Sequence, residues 1–513
     1  MNFSAQKMGG WRKTMLLSTV ALFAFAGTAV ATPKKTSTDE KIDLLQQQIK
    51  VMQQQILDLK SSQASKYAEV RKSVDELPKV SFEAGRPTFK SGDGNFSASL
   101  RALVQFDAAY YSQRGIRTQQ APDLNSGSNF RRVRIGIDGA LYKNWQYSFI
   151  GEYGGSGSEQ PVGINTASLQ YSGLKPVYFK VGAFTPYVNL EDSESAADTL
   201  FLERASATEI TRNIAGGDAR EGIQIWAQGD RYLASVAFTG TRVANTAGAA
   251  PTFDEQEGVV GRLAGLAYTD ANTNLVVGTN GSYIFDLSQS AANTDGGSIT
   301  FSNSPELRVD DTGTGANVFT GASVTAQNGS PASLISTGGI AARRAWHWGL
   351  DAAAQWKAAY AEGGYYQFGA VRNDGGLAGS NPEFSAWYAE LAYTLTGESR
   401  RYNAANAAFR TPKVAYPFNF GKDAGWGAWE LAARYSYTDL NFAPGVARRP
   451  VPNSGSIRGG IQEIWTIGLN WYPNDALRFS LNYLNADINR LNASGLQIGP
   501  SFSALALRSQ WNF

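Results

Sequence analysis

A transmembrane antiparallel β-barrel of about 16 strands, with a short N-terminal coiled-coil helix in front of it, is the all-β fold this sequence predicts. Three observations carry the prediction. From residue 95 to the end, apolar and polar residues alternate with a period of two. The connections between these runs are short and long by turns. The chain has 513 residues, 54 glycines, 12% aromatic residues and no cysteine, and its one apolar stretch near the roughly 20 residues a membrane helix needs lies at the very start.

That first stretch, residues 1–31, reads as a secretory leader. Arg12 and Lys13 supply the basic region, Met15 to Ala26 the apolar region, and Ala29-Val30-Ala31 a cleavage site that leaves Thr32 as the first mature residue. The apolar run is too short for a membrane anchor. The whole chain carries a net charge of +2; loss of Lys7, Arg12 and Lys13 leaves −1. So balanced a chain is not a general nucleic-acid binder. An exported chain without cysteine has no disulfide framework, so stability must come from closed strand pairing.

Residues 32–62 form the next segment. Ile42, Leu45, Ile49, Met52, Ile56 and Leu59 recur at spacings of three and four, the a/d seam of a coiled coil, over 38–62. About three heptads are marginal for an isolated helix. A trimer that brought three copies together would stabilise it, although Ile at a with Leu at d more often favours dimers. A spacer helix lying on its own barrel is the plainer alternative. Residues 63–94, with Pro78, Pro87 and several glycines, read as a linker into the barrel.

The barrel domain spans 95–513. Phe96, Ala98, Leu100, Ala102, Val104, Phe106 and Ala108 alternate with Ser97, Ser99, Arg101, Gln105 and Asp107. Successive strand side chains point to opposite faces, so one face is greasy and the other wet. In a membrane barrel the greasy face meets lipid and the wet face lines the lumen. The pattern returns at 133–141, 145–153, 429–437, 465–471 and 477–483, with aromatics near strand ends. Short turns at Lys143-Asn144, 173–176, 229–231, 270–273 and 473–475 separate long loops near 112–129, 186–220, 243–257, 286–345, 443–460 and 490–502. Residues 398–427 fall where a short periplasmic turn belongs, and either fold into the lumen or form a lid. The last strand ends on Trp511 and Phe513, like an outer-membrane assembly signal read by the barrel-assembly machinery.

Four stretches resemble the phosphate-selective porin O and P family: Phe179-Lys180-Val181-Gly182-Ala183-Phe184-Thr185-Pro186 running into Leu190-Glu191 and Phe201-Leu202-Glu203-Arg204; Leu395-Thr396-Gly397-Glu398-Ser399-Arg400-Arg401-Tyr402; Gly427-Ala428-Trp429-Glu430-Leu431-Ala432-Ala433-Arg434-Tyr435-Ser436; and Leu469-Asn470-Trp471-Tyr472-Pro473-Asn474. Their order is specific although each alone is weak. The resemblance implies a 16-stranded homotrimer in the outer membrane of a Gram-negative bacterium. It also implies a channel for passive diffusion of small anions such as phosphate or polyphosphate, with loops and one periplasmic turn folded inward. Outer-membrane lipid is then its surroundings, and no cofactor, metal or nucleic acid is implied. A central lysine cluster typical of such porins has no motif here.

Parity places Arg101, Arg132, Arg134, Lys180, Arg262, Arg434, Arg478 and Arg508 in the lumen, and the long turn adds Arg400 and Arg401. Rings of Arg and Lys are how anion pores are built. Asp107, Asp138, Glu152, Asp351, Glu362, Glu390 and Glu430 share that face, so many arginines can instead pair across strands. The third loop, 186–220, opposes anions: Glu191, Asp192, Glu194, Asp198, Glu203, Glu209 and Asp218 face only Arg204, Arg212 and Arg220. If Glu191, Asp192, Glu194, Glu203 and Arg204 form the constriction, the pore is a cation-preferring or general one. A structural anchor tethered through the coiled coil is a further alternative. Catalysis is not expected: His347, the single histidine, stands alone, and no G-x-S-x-G, H-E-x-x-H or glycine-rich phosphate loop is present.

Overall fold

The structure, a computed structural model, describes residues 37–513 apart from 84, 115–123, 125, 155–162, 244–254, 289–296, 310–314, 317–322, 325–332, 374–379, 422–424 and 454. The expected leader, and Lys422 and Asp423 of the long turn, lie outside the described residues. The chain divides into two units, 1–74 and 75–513.

The first unit contributes helix α1 (Thr38–Asp75). Its a/d seam is complete, and Ile42, Leu45, Ile49, Met52, Ile56 and Leu59 are all exposed in the single chain. The helix outlasts the heptads. Residues 63–75, expected to be linker, are helical because Ala64, Lys66, Ala68, Glu69, Arg71 and Lys72 are good helix formers. Pro78 is the first breaker. A short hairpin of Lys79–Glu83 and Arg86–Lys90 follows, so the rest of the expected linker is strand as well.

The second unit is a closed antiparallel barrel. Its strands are β1 (Phe96–Arg114), β2 (Gly127–Leu141), β3 (Trp145–Glu152), β4 (Gly163–Leu174), β5 (Val177–Phe184), β6 (Arg220–Gln228), β7 (Tyr232–Arg242), β8 (Glu257–Thr269), β9 (Thr273–Asp286), β10 (Ile340–Trp356), β11 (Ala359–Arg372), β12 (Glu383–Thr394), β13 (Ala428–Phe442), β14 (Ile457–Asn474), β15 (Leu477–Asn489) and β16 (Ser501–Asn512). The ring shuts where β16 pairs β1, from Ser501↔Arg114 to Asn512↔Leu103, and Phe513 exchanges backbone hydrogen bonds with Ala102. Closure leaves no strand edge, as a structure in hydrocarbon requires.

Alternation sets the faces. Ile135, Phe149, Val181, Leu263, Leu350, Leu391, Ile467 and Leu505 stand exposed outside, while Gln105, Asp107, Arg262, Asp351 and Glu430 are buried inside. Sixteen strands enclose a lumen too wide for wall side chains to fill. Three connections enter it. The third loop carries helices α2 (Leu190–Ser193) and α3 (Ser206–Ala215), almost wholly buried. The fifth loop, between β9 and β10, brings Phe301, Glu306, Leu307 and Arg308 inside. The long turn after β12 enters from the opposite end, burying Ala407, Ala408 and Phe409. Its later part, 414–421, returns to the rim, where Phe418 packs on Trp471. Two further long connections, between β3 and β4 and between β11 and β12, were not foreseen: their polar, glycine-rich stretches give no sign of loop length in the periodicity.

Candidate functional site

The candidate site is the lumen at the level of the third loop. The loop is seated by apolar contacts and by charge. Ile210 and Ile214 of α3 join the cluster of Val260, Ile284, Tyr366 and Phe368, while Leu190, Leu200 and Phe201 join that of Val276, Tyr360 and Phe409. Asn189 caps α2 by accepting from the Asp192 amide at 2.9 Å. The amides opening α3 find carboxylates: Ala205 N donates to Glu191 at 3.2 Å and Ser206 N to Glu306 Oε1 at 2.8 Å. Anions there complement a helix start. On the wall, Asp351 accepts from Leu190 N at 3.0 Å, and glycine at 278 makes room, since a Cβ there would lie 2.4 Å from Asp351 Oδ1.

The wall arginines face inward as parity requires, and the structure spends most of them on the loop. Arg508 grips Asp107 through two bonds of 2.7 and 2.6 Å and reaches Glu203 at 3.2 Å. Arg434 meets Glu306 at 2.6 Å, lies 3.7 Å from Glu191 and 3.8 Å from Glu390, and donates to the Glu203 carbonyl. Arg478 donates to the carbonyls of Thr199 (2.5 Å) and Leu200 (2.7 Å). Arg262 ties the loop to the inward turn, donating to Ser193 Oγ, Asn406 O and Ala407 O. Arg134 pairs with Glu152 at 2.6 Å and Asp218 at 2.8 Å. Arg132 donates to Gln105 and lies 3.9 Å from Glu203. Arg400 holds Glu430 at 3.0 Å and lies 3.9 Å from Glu194, and Arg204 donates to the carbonyls of Glu191 and Glu194. Arg101 stands apart on Asp138 at 3.2 Å, and exposed Arg401 donates to the Thr411 carbonyl.

Three groups escaped sequence reasoning: Arg131, Arg308 and Glu306. Arg131 should face lipid by parity, yet it is 1% exposed and holds Glu203 at 2.6 and 2.9 Å. Gln105 pairs with Arg132 and Phe106 with Phe130, so Arg131 is the extra residue of a bulge that turns two consecutive arginines inward. Arg212 joins Asp192 and Asp218, and Arg308 comes within 4 Å of Glu203 and Glu209. Glu306 anchors Arg434 and Ser436. Loop residues carry no periodicity that could reveal such partners.

The loop's acids divide into two kinds. Burial alone would push Glu203 up, but Arg131, Arg132 and Arg508 overrule it and hold the carboxyl well below the usual range. Asp218 is held well below in the same way by Arg212 and Arg134, and Glu209 is lowered by Arg212 and Arg308. In Glu191, burial wins over Arg434 and pushes the group from 4.5 up to about 7. Glu194 is also pushed up, by burial and then by the facing Glu362. The lone His347 makes structural contacts only, to Ser282 Oγ at 2.5 Å and Asn280 Oδ1 at 3.2 Å.

A lipid-facing closed barrel whose lumen is narrowed by inward loops defines an outer-membrane porin, a channel and not an enzyme. The family model described as phosphate-selective porin O and P matches residues 101–513, and the chain belongs to that family. It is similar to Porin O of Pseudomonas aeruginosa, 28% identical over 427 residues that cover 80% of this chain and 87% of that protein. An uncharacterized protein of Caulobacter vibrioides is 28% identical over 404 residues, 78% of this chain and 70% of its own length. Among solved structures, the anion-selective porin from Comamonas acidovorans aligns with a TM-score of 0.45 at 12% identity, covering 82% of this chain and 100% of that one. The protein is thus a channel of the Gram-negative outer membrane.

Proposed function

We propose that this channel passes small anions, phosphate-bearing solutes among them, and works as a homotrimer. The observation that carries the selectivity is a difference in pairing. Of the third loop's seven acids, Glu191, Asp192, Glu194, Glu203, Glu209 and Asp218 each have a guanidinium within 4 Å, so the loop is no free cation filter. Lys180, on the lumen face of β5, has no carboxylate partner among the described residues and lies over the Trp226 and Phe184 rings. Charge beside a low-dielectric wall acts more strongly than charge in open solvent. The field beside Lys180 is on this reading positive.

Strand length supports assembly. β3, β5 and β6 have 8, 8 and 9 residues, against 17 in β10 and 18 in β14. A tilted spanning strand needs about 9–11. Within the β3–β6 wall, β3 and β5 fall just short of that length, and this low side suits burial against another copy. We assign the C-terminal Trp511 and Phe513, at the closing seam, to recognition by the assembly machinery.

Lys180→Glu tests the selectivity. In planar bilayers it should move the zero-current potential in a tenfold KCl gradient toward the potassium limit. A potential unchanged from wild type would remove Lys180 from the pathway and with it the pairing argument.

A further inference from the structure

Between the low wall β3–β6, Tyr187 at the start of the third loop and Ala405 of the inward turn lies a cavity of about 450 Å³. Its charged lining groups are Lys143 and Lys175, and no carboxylate lines it. Lys180 stands beside it, its Nζ 5.2 Å from the centroid of Trp226, which does line it. Among the described residues none of the three lysines has a carboxylate within 4 Å, although the charge of Lys143 reaches Asp93. The one carboxylate whose charge reaches Lys180 is Asp138, already held by Arg101 at 3.2 Å and Arg86 at 3.8 Å.

Strand register sets amides on either side of Lys180. Gln170 of β4 and Gln224 of β6 are its direct partners, and Gln170 donates to Gln146 of β3 at 2.7 Å. Gln170 lines the cavity with Gln146 and Gln228, whereas Gln224 is 1% exposed and is not part of the lining.

The chemistry of this lining is wider than inorganic phosphate needs. Phosphate is rich in acceptors and would be served by donors alone, leaving amide oxygens and aromatic walls idle. A hydroxylated ring bearing one acidic group uses all of them: hydroxyls donate to the amide oxygens and accept from the amide nitrogens, ring C–H faces pack on Tyr187 and Trp226, and the acidic group sits on lysine. The volume falls in the range of about 300–1,000 Å³ typical of small-molecule sites.

The geometry points to a subsite for a small sugar acid or sugar phosphate in the β3–β6 wall, with Lys180 at its edge taking the acidic group and Gln170 of the lining a hydroxyl. The inference rests on the anion-channel reading above and narrows its substrate class.

Block of single-channel KCl current tests it, with galacturonate, glucose and inorganic phosphate as probes. Galacturonate should block wild type at concentrations about tenfold below glucose, the worth of one charge-assisted contact, and below phosphate. Lys180→Gln should raise its half-blocking concentration about tenfold, Lys180→Arg should restore the block, and Gln170→Leu should weaken galacturonate more than phosphate. Equal block by galacturonate and glucose, or tighter block by phosphate, in a channel that still prefers chloride would overturn the subsite alone. A wild-type channel that prefers potassium would overturn the anion reading beneath it.

Discussion

Glu203 meets Arg131 at 2.6 Å and Arg508 at 3.2 Å, with Arg132 at 3.9 Å, and all four groups are buried. Removing the one shared carboxylate leaves buried guanidiniums uncompensated, a loss of about 3–5 kcal/mol for a broken buried pair. We expect Glu203→Gln to lower the unfolding free energy of the barrel by that much, read as a lower denaturant midpoint; a midpoint within error of wild type would show that the cluster does not stabilise the barrel. Glu191 gives a pH dependence of opposite sign to the usual carboxylate. Its folded pKa of about 7 lies above its ordinary 4.5, so the folded chain binds more protons in that interval. The contribution is fully present below about pH 4.5 and is lost as pH rises to about 7. Glu203, Glu209 and Asp218, held low, lose theirs only below the carboxylate range, outside that window. Amide exchange over Leu190–Arg204 should therefore quicken between pH 5 and 7.5 beyond its chemical rate, and Glu191→Gln should reduce the excess, the remainder belonging to Glu194, which is raised too. Much of this scale was illegible in the sequence. Parity found Arg434 and Arg508, but not that loop carboxylates would claim them, and nothing in the alternation marks Arg131 as the extra residue of a bulge that turns it inward beside Arg132.

At the scale of elements, the period-two pattern was legible because lipid outside and polar groups inside impose it on every strand. The turn after β12 was legible as an anomaly of length. Its contact with the loop was not, since Asn406 and Thr411, which bond Ser193 and Asp198, are ordinary loop residues in a linear reading. Helix α1 shows the reverse failure. The heptads end near Leu59, but helix propensity carries the chain to Asp75 without them, so a search for seam residues stopped too early. Because 75–513 forms a compact unit of its own, deletion of 38–72 should leave a heat-modifiable, conducting barrel and lower the trimer fraction at low protein concentration in detergent. Loss of the folded barrel in that deletion, measured by electrophoretic mobility before and after boiling, would show that the helix is needed for folding.

At the scale of the whole molecule, a 16-stranded wall, an acidic loop and a basic inner face are parts of one charge balance. The loop carries seven acids into the lumen and six of them have a guanidinium within 4 Å; on the reading proposed above, Lys180 then sets the sign of the field. Interactions across a water-filled passage are screened over about 10 Å at 0.1 M salt, so the preference should be modest and should fade as salt rises. The most direct measurement is the zero-current potential of the purified wild-type protein in a planar bilayer under a tenfold KCl gradient, repeated at higher mean salt. We expect a potential displaced toward the chloride limit that shrinks as salt rises. A potential on the potassium side at low salt would contradict the charge balance described here and would identify the raised carboxylates Glu191 and Glu194 as the filter.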